Sequence, residues 1–208
     1  MRNTLPLKTV FLFLVLGLLG PKAALAADVP ALYRASYLAE AKSDFPGALA
    51  KLREIRKAAG PSYFVALRTG WLAYLNADYA TAEAQYREAV AANPKATEAK
   101  IGLTLVLFVA QKWRPLEATC RQVLAANPKH ATVRARLASA QYNLGNFPDA
   151  AAGYRKLVEE YPGELDYQTG LGWALYRLGK REEARKLFEG VLALSPDNPN
   201  AKAGLAAK

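Results

Sequence analysis

Residue types that perform chemistry in proteins are scarce in this sequence. Its 208 residues include one cysteine, Cys120, and one histidine, His130. A single histidine leaves no pair for a metal site, and a single cysteine excludes an intramolecular disulfide framework or a cysteine-rich zinc module. The neighbouring carboxylates Glu159–Glu160 and Glu182–Glu183 have no evident partner for acid–base work. The sequence therefore predicts a protein that is not an enzyme and uses no cofactor or metal.

The composition favours a folded chain with a large core. Hydrophobic residues make up 52% of the sequence, too many for a disordered chain, and the formal net charge is +10. The length suits one ordinary domain or one modest array of repeats. The basic balance favours an acidic partner, an anionic lipid headgroup or an acidic glycan, or it serves solubility alone.

Residues 1–26 have the pattern of a secretory signal peptide. A basic start containing Arg2 precedes an apolar run over residues 9–20, and a small-residue end follows at residues 24–26. The run is too short to span a bilayer comfortably, and no cysteine follows it that would carry a lipid anchor. Cleavage after Ala26 would leave 25 basic and 18 acidic residues, a net charge of +7. We therefore expect export to the periplasm, away from nucleic acid and without a stable membrane anchor; an uncleaved anchor is the alternative.

The remaining chain repeats with a period of 34 residues. A proline recurs at this spacing near the end of each unit, and small and aromatic residues recur in the same phase. These residues are Pro94, Pro128, Pro162 and Pro196; Ala48, Ala82, Ala150 and Ala184, with Leu116 as the exception; and Phe45, Tyr79, Trp113 and Phe147. The period divides the sequence, without insertions, into units at 29–62, 63–96, 97–130, 131–164 and 165–198.

Each unit has the pattern of two helices. In the fourth unit, apolar residues recur at helical spacing over residues 132–144, and Gly145-Asn146 interrupts them. Pro148 suits the first turn of a second helix, and Pro162 ends that helix. Strand-type alternation is absent from the sequence after the first segment. The prediction is an all-α fold, with residues 199–208 as a short first helix that caps the array.

This pattern resembles the tetratricopeptide repeat, whose 34-residue unit is a helix–turn–helix. The fifth unit carries the family's residues most completely, and these are Leu171, Gly172, Leu178, Gly179, Ala184, Phe188, Val191 and Pro196. The resemblance covers residues 29–198 of a repeat domain at 27–208. It implies a right-handed α-solenoid of five units plus the capping helix, in which stacked units share one core. Most members of the family are binding scaffolds, so the resemblance implies binding without naming a partner.

Small residues should mark the places where two helices approach closely. Gly70, Ala138 and Gly172 on first helices are predicted to lie opposite the alanine column of the second helices. In the third unit Thr104 and Leu116 replace small residues. We therefore expect a local change of packing or curvature in that unit.

Both candidate reactive side chains have other expected roles within the repeat. Cys120 stands where other units have Tyr86, Tyr154 and Phe188, which predicts a buried, inert thiol. His130 lies in the turn between the third and fourth units, where a surface or capping role is expected.

The first helices carry more apolar surface than one core-facing stripe requires. A second stripe recurs down the array and consists of Tyr33, Tyr37, Leu67, Trp71, Tyr74, Leu105, Phe108, Tyr142, Trp173 and Tyr176. In tetratricopeptide proteins this face lines the concave groove in which ligands usually bind. The resemblance therefore implies a ladder of aromatic side chains along a partner-binding groove, and tryptophan and tyrosine are frequent binding anchors.

The sequence leaves the ligand of that groove open. The first expectation is an amphipathic helix or extended segment of an envelope protein, steered by the net positive charge. A glycan of polysaccharide or cell-wall assembly is the second, and self-assembly into a structural array is the third. Arg34, Arg68 and Arg136 lie near this face, but the paired asparagine and lysine of the family's carboxylate clamp are missing. That activity is therefore not inferred.

Overall fold

The computed structural model describes residues 28–207, so the predicted signal peptide at 1–26 lies outside the described residues. The described chain is all-helical, as predicted, and its helices form five pairs followed by one short helix. They are α1 (Val29–Ala41), α2 (Phe45–Ala59), α3 (Tyr63–Leu75), α4 (Tyr79–Ala92), α5 (Glu98–Val109), α6 (Trp113–Ala126), α7 (Ala131–Asn143), α8 (Phe147–Glu160), α9 (Leu165–Arg177), α10 (Arg181–Leu194) and α11 (Pro199–Ala206). None of these eleven helices is both long and apolar enough to cross a membrane.

Side-chain caps and tight turns separate the helices. Asp44 Oδ1 accepts a hydrogen bond from the Gly47 amide at the start of α2, at 2.9 Å, and Asp78 caps α4 in the same way. The turn inside every unit contains one residue with positive φ, and these residues are Ser43, Ala77, Gln111, Gly145 and Gly179. Only glycine adopts this left-handed conformation without steric cost, so three of the five turns carry a small backbone strain.

The units stack so that their first helices share one surface. First helices of neighbouring units contact each other, from α3 with α5 to α9 with α11. Each second helix packs between the first helix of its own unit and that of the next. The first helices therefore lie side by side on what we call the inner surface, as expected for a solenoid of stacked repeats.

The predicted small-residue column is buried, but its contacts differ in detail from the prediction. All five of its members, Ala48, Ala82, Leu116, Ala150 and Ala184, are at most 1% exposed. The nearest neighbours of Gly70 and Gly172, however, are the rings of Tyr86 and Phe188 rather than alanines. A Cβ atom at Gly172 would lie 2.7 Å from Cε1 of Phe188. These glycines therefore make room for aromatic rings on the second helices.

Those rings belong to a buried column that separates each unit from the next. We call its members wedge residues, and they are Leu52, Tyr86, Cys120, Tyr154 and Phe188. The residues 16 positions later lie on the next first helix and are Arg68, Gly102, Arg136, Gly170 and Gly204. A glycine stands 16 positions after every aromatic wedge residue, because a larger residue would collide with the ring. A Cβ atom at Gly170, for example, would lie 2.5 Å from the Tyr154 ring. An arginine stands 16 positions after each of the two wedge residues without a ring, Leu52 and Cys120.

The predicted packing change in the third unit involves Thr104. Its hydroxyl donates a hydrogen bond to the Ile101 carbonyl at 2.7 Å and accepts one from Arg136 at 2.8 Å. Thr104 and Leu116 are fully buried, and α6 continues unbroken past Pro115. The unusual residues of this unit therefore leave the helices intact and hold an arginine of the next unit.

The short C-terminal helix caps the array, as predicted. Asn198 Oδ1 accepts a hydrogen bond from the Ala201 amide at 2.9 Å, which starts α11. Ala201 and Gly204 are buried where α11 packs on α9 and α10. At the opposite end, Leu38 of α1 is 64% exposed among the residues that the structure describes, whereas the equivalent Leu72 of α3 is fully buried.

Candidate functional site

Two adjoining cavities open on the inner surface. The larger has a volume of about 580 Å³, is lined by α5, α7 and α9, and extends to Asn200 on α11. The smaller has a volume of about 370 Å³ and lies among α3, α5 and α7. Arg136 of α7 lines both cavities. The inner surface is therefore a groove with two open cavities that meet at one arginine.

Three residues of the predicted stripe line the smaller cavity, namely Leu67, Trp71 and Leu105. The Trp71 side chain is 39% exposed. Its Nε1–H donates a hydrogen bond to Glu40 Oε1 at 2.9 Å, and its ring stacks on Tyr74 with centroids 6.0 Å apart. These contacts fix the orientation of the indole while leaving part of its face open to a ligand.

Two further residues of the stripe, Phe108 and Trp173, line the larger cavity. The Phe108 ring meets Trp113 edge-on at 6.0 Å between centroids. Trp173 packs on the wedge residue Phe188, with centroids 5.4 Å apart. Each cavity thus has one tryptophan held by aromatic neighbours.

The other five predicted residues line neither cavity, and they are Tyr33, Tyr37, Tyr74, Tyr142 and Tyr176. Tyr74 and Tyr142 pack on Tyr79 and Phe147, with centroids 5.8 and 5.5 Å apart. Tyr79 and Phe147 are the first residues of second helices. Tyr74 and Tyr142 therefore fasten a first helix to the start of its own second helix, and the two cavities are lined by a subset of the predicted stripe.

The first of the two groove arginines has an ion-pair partner. Arg68 Nη2 donates to Glu40 Oε2 at 2.7 Å, and its guanidinium carbon lies 3.7 Å from the centroid of the Tyr37 ring. Both contacts stabilise the charge in a mostly buried place. Arg68 Nε is buried and has no hydrogen-bond partner among residues 28–207. Glu40 thus neutralises Arg68 without satisfying all of its donors.

The second groove arginine has no carboxylate partner among the described residues. Arg136 Nη1 donates to Thr104 Oγ1 at 2.8 Å and, weakly, to the Ile101 carbonyl at 3.4 Å. Burial, the largest cause, lowers the pKa of the Arg136 guanidinium from its usual value. Arg136 is thus a cation held by neutral groups, and sequence reasoning placed it near the groove but assigned it no role. The signal was the coincidence of Thr104 and Cys120, each unusual for its position in the repeat.

Comparison with known protein families decides what kind of chain this is. Family profiles described as tetratricopeptide repeat match residues 67–113, 117–174 and 166–198, which together exceed half of the sequence. The chain belongs to the tetratricopeptide repeat family. A search of curated proteins gave no match.

Two solved structures have a similar fold. YrrB, described as a TPR protein with an unusual peptide-binding site, aligns with a TM-score of 0.77 at 16% identity, covering 86% of this chain and 93% of YrrB. MamA from Desulfovibrio magneticus aligns with a TM-score of 0.76 at 20% identity, covering 84% and 99% of the two chains. Identity at this level shows a shared fold only.

In this tetratricopeptide repeat protein, the residues first considered for chemistry are buried, lie at a helix end or take part in an ion pair. Cys120 is fully buried, and burial raises the pKa of its thiol to about 12 even though Arg136 acts in the opposite direction. The thiol is therefore protonated at neutral pH. His130 is the N-cap residue of α7 but makes no side-chain capping bond. A hydrogen bond from Arg134 holds the pKa of the Glu160 carboxyl below its usual range. Among the described residues no acidic, histidine or cysteine cluster could hold a metal ion.

Proposed function

We propose that the protein is a non-catalytic scaffold that binds a segment of a partner protein on its inner surface. The observation that carries the proposal is the pair of adjoining cavities, each with a tryptophan in its wall. Concave apolar surface of this kind marks an interaction site, and tryptophan is enriched among the residues that dominate binding energy. The family's scaffolding role and the peptide-binding site named for YrrB support a protein ligand.

The dimensions of the groove suit a chain segment. Both volumes fall within the range of about 300–1,000 Å³ that is typical of ligand pockets. The two cavities lie on successive first helices and meet at Arg136. A helical or extended segment would place one apolar side chain in each cavity, which is a common way for amphipathic segments to bind grooves.

Removal of either tryptophan is expected to weaken such binding by about 10-fold or more, because each indole forms a cavity wall. The test is a selection from a random peptide library on residues 27–208, followed by fluorescence anisotropy with the selected peptides. Trp71→Ala and Trp173→Ala are compared with the parent and with Leu194→Ala. Leu194 is 70% exposed and lines neither cavity, so its truncation controls for loss of exposed apolar surface.

Circular dichroism establishes that each variant keeps native helicity. Unchanged affinity in both tryptophan variants would mean that the groove is not the peptide-binding site. Failure to select any peptide, combined with tryptophan-dependent binding of a polysaccharide, would support a glycan ligand and contradict the proposal.

Export to the periplasm is part of the proposed function and is supported by the sequence of residues 1–26. Expression of the full chain in a Gram-negative host is expected to yield a periplasmic protein that begins at Ala27, because signal peptidases require small residues before the cleaved bond. Cell fractionation and mass spectrometry of the N-terminus measure this. Ala26→Leu is the matched control and should retain the uncleaved form. A cytosolic chain that still carries Met1 would contradict export.

A further inference from the structure

We propose that Arg136 binds a carboxylate side chain of the partner segment, so that the ligand of this groove contains an aspartate or glutamate seated in the smaller cavity. The inference rests on the proposed function for the presence of a bound segment. It adds the chemistry of one position in that segment and is tested separately.

The hydrogen bonds of Arg136 leave most of its donors available. A guanidinium group has five N–H donors in a planar fork. Only Nη1 has hydrogen-bond acceptors among residues 28–207, and both are uncharged. A half-buried cation without an anion is costly, since partial burial removes water that no carboxylate replaces. A ligand carboxylate would supply the missing charge and accept a bidentate pair of hydrogen bonds.

Two residues of the third unit, Thr104 and Cys120, make room for the Arg136 side chain and orient it. Arg136 stands 16 positions after the wedge residue Cys120. At the same spacing after Tyr86 and Tyr154, the chain has Gly102 and Gly170, which lie against the two rings. A ring in place of Cys120 would fill the volume beside Arg136, as the rings beside both glycines do. Thr104 supplies the hydroxyl that orients the guanidinium, at 2.8 Å. The arginine thus occupies a place that two substitutions in the repeat pattern create.

Neighbouring charges favour the smaller cavity as the position of the carboxylate. In that cavity Glu98 is the only carboxylate among the lining residues and accepts a hydrogen bond from the Tyr63 hydroxyl at 3.1 Å, while Arg68 is already paired with Glu40. The lining of the larger cavity contains two carboxylates, Glu164 and Asp166. Two carboxylates repel an anion more strongly than one, so the acidic side chain is expected on the other side of Arg136.

The walls of the smaller cavity define the rest of the recognised residue. Leu67, Ile101 and Leu105 line it together with Trp71. An acidic side chain packs its methylene groups on such walls and extends its carboxylate to the guanidinium, as long charged side chains often do at interfaces. The expected motif is therefore an acidic residue flanked by apolar ones.

The test uses C-terminally amidated peptides, so that only side-chain carboxylates can reach Arg136. Peptides selected from a random library on residues 27–208 should be enriched in aspartate or glutamate at one position. Replacement of that residue by its amide should weaken binding to the parent by about 10-fold or more. The same replacement should have little effect on Arg136→Gln, because the two changes remove the same interaction.

A second variant allows the test to be made even if Arg136→Gln folds poorly. Thr104→Ala/Cys120→Tyr/Arg136→Gly reproduces the arrangement of Ala138, Tyr154 and Gly170, which the chain itself tolerates. It should remain helical and should bind acid and amide peptides equally.

Four results would overturn the inference. Selected peptides without a preferred acidic position, or acid and amide peptides that bind the parent equally, would do so while leaving tryptophan-dependent binding intact. Saturable binding of inorganic phosphate that excludes the peptides would assign Arg136 to a free anion instead. Absence of any bound peptide would overturn the proposed function together with this inference.

Discussion

Replacement of Phe188 by alanine is expected to lower the free energy of unfolding by about 3–5 kcal/mol, the usual cost of emptying a buried aromatic site. Phe188 is 1% exposed and lies between Gly172 of its own unit and Gly204 of the cap. Its ring also supports Trp173, at 5.4 Å between centroids. Because Gly172 and Gly204 have no side chains that could move into the space, most of the cavity should persist.

Urea unfolding followed by circular dichroism measures this effect, and Leu194→Ala on the same helix is its control. Leu194 is 70% exposed, so its truncation should change stability by no more than about 0.5 kcal/mol. In a repeat array the loss of stability can appear as unfolding of the last units at a lower urea concentration, rather than as a shift of one single transition. A Phe188→Ala protein within 1 kcal/mol of the parent would mean that the wedge column does not hold the units together.

Most of the fold could be predicted because each signal repeats every 34 residues. The prediction for the fourth unit, a helix over 132–144 interrupted by Gly145-Asn146, agrees closely with α7 at Ala131–Asn143. Proline and capping residues fix such ends locally, and a solenoid makes contacts only between neighbouring units. Local sequence therefore contains nearly all the information that this architecture requires.

Turn conformation was less visible in the sequence. Glycine suits a positive φ, as at Gly145, but Ala77 and Gln111 adopt the same conformation in their own turns. The stacking of neighbouring units imposes that geometry on residues that do not prefer it. Residue type alone therefore does not indicate the positive φ in three of the five turns.

The lining of the two cavities could be predicted only in part, because helical periodicity does not distinguish a side chain that lines a cavity from one that packs beside it. Trp71 and Tyr74 belong to the same predicted stripe, yet Trp71 lines the smaller cavity and Tyr74 packs against Tyr79. The distinction depends on which second-helix residue stands opposite. That information lies in another part of the chain and becomes available only in three dimensions.

Arg136 shows the same limit, since its place in the groove depends on Cys120, which is 16 residues away in sequence and adjacent in the fold. The prediction with the second-largest effect tests this dependence. Cys120→Tyr alone is expected to cost about 3 kcal/mol, because the ring must enter a filled space beside Thr104 and Arg136. Other units accept a tyrosine at this position only because Gly102 or Gly170 follows it.

Addition of Thr104→Ala and Arg136→Gly to Cys120→Tyr should recover most of that loss, about 2 kcal/mol, because the three changes together restore the packing seen around Tyr154. The same two substitutions made beside the native Cys120 should instead destabilise the protein, since they leave a cavity that the small thiol cannot fill. Denaturant unfolding of all four proteins gives the coupling free energy directly. Simple additivity would show that the wedge residue and the groove arginine are independent. Strong coupling would mean that the repeat fold and its charged groove were shaped by one packing constraint.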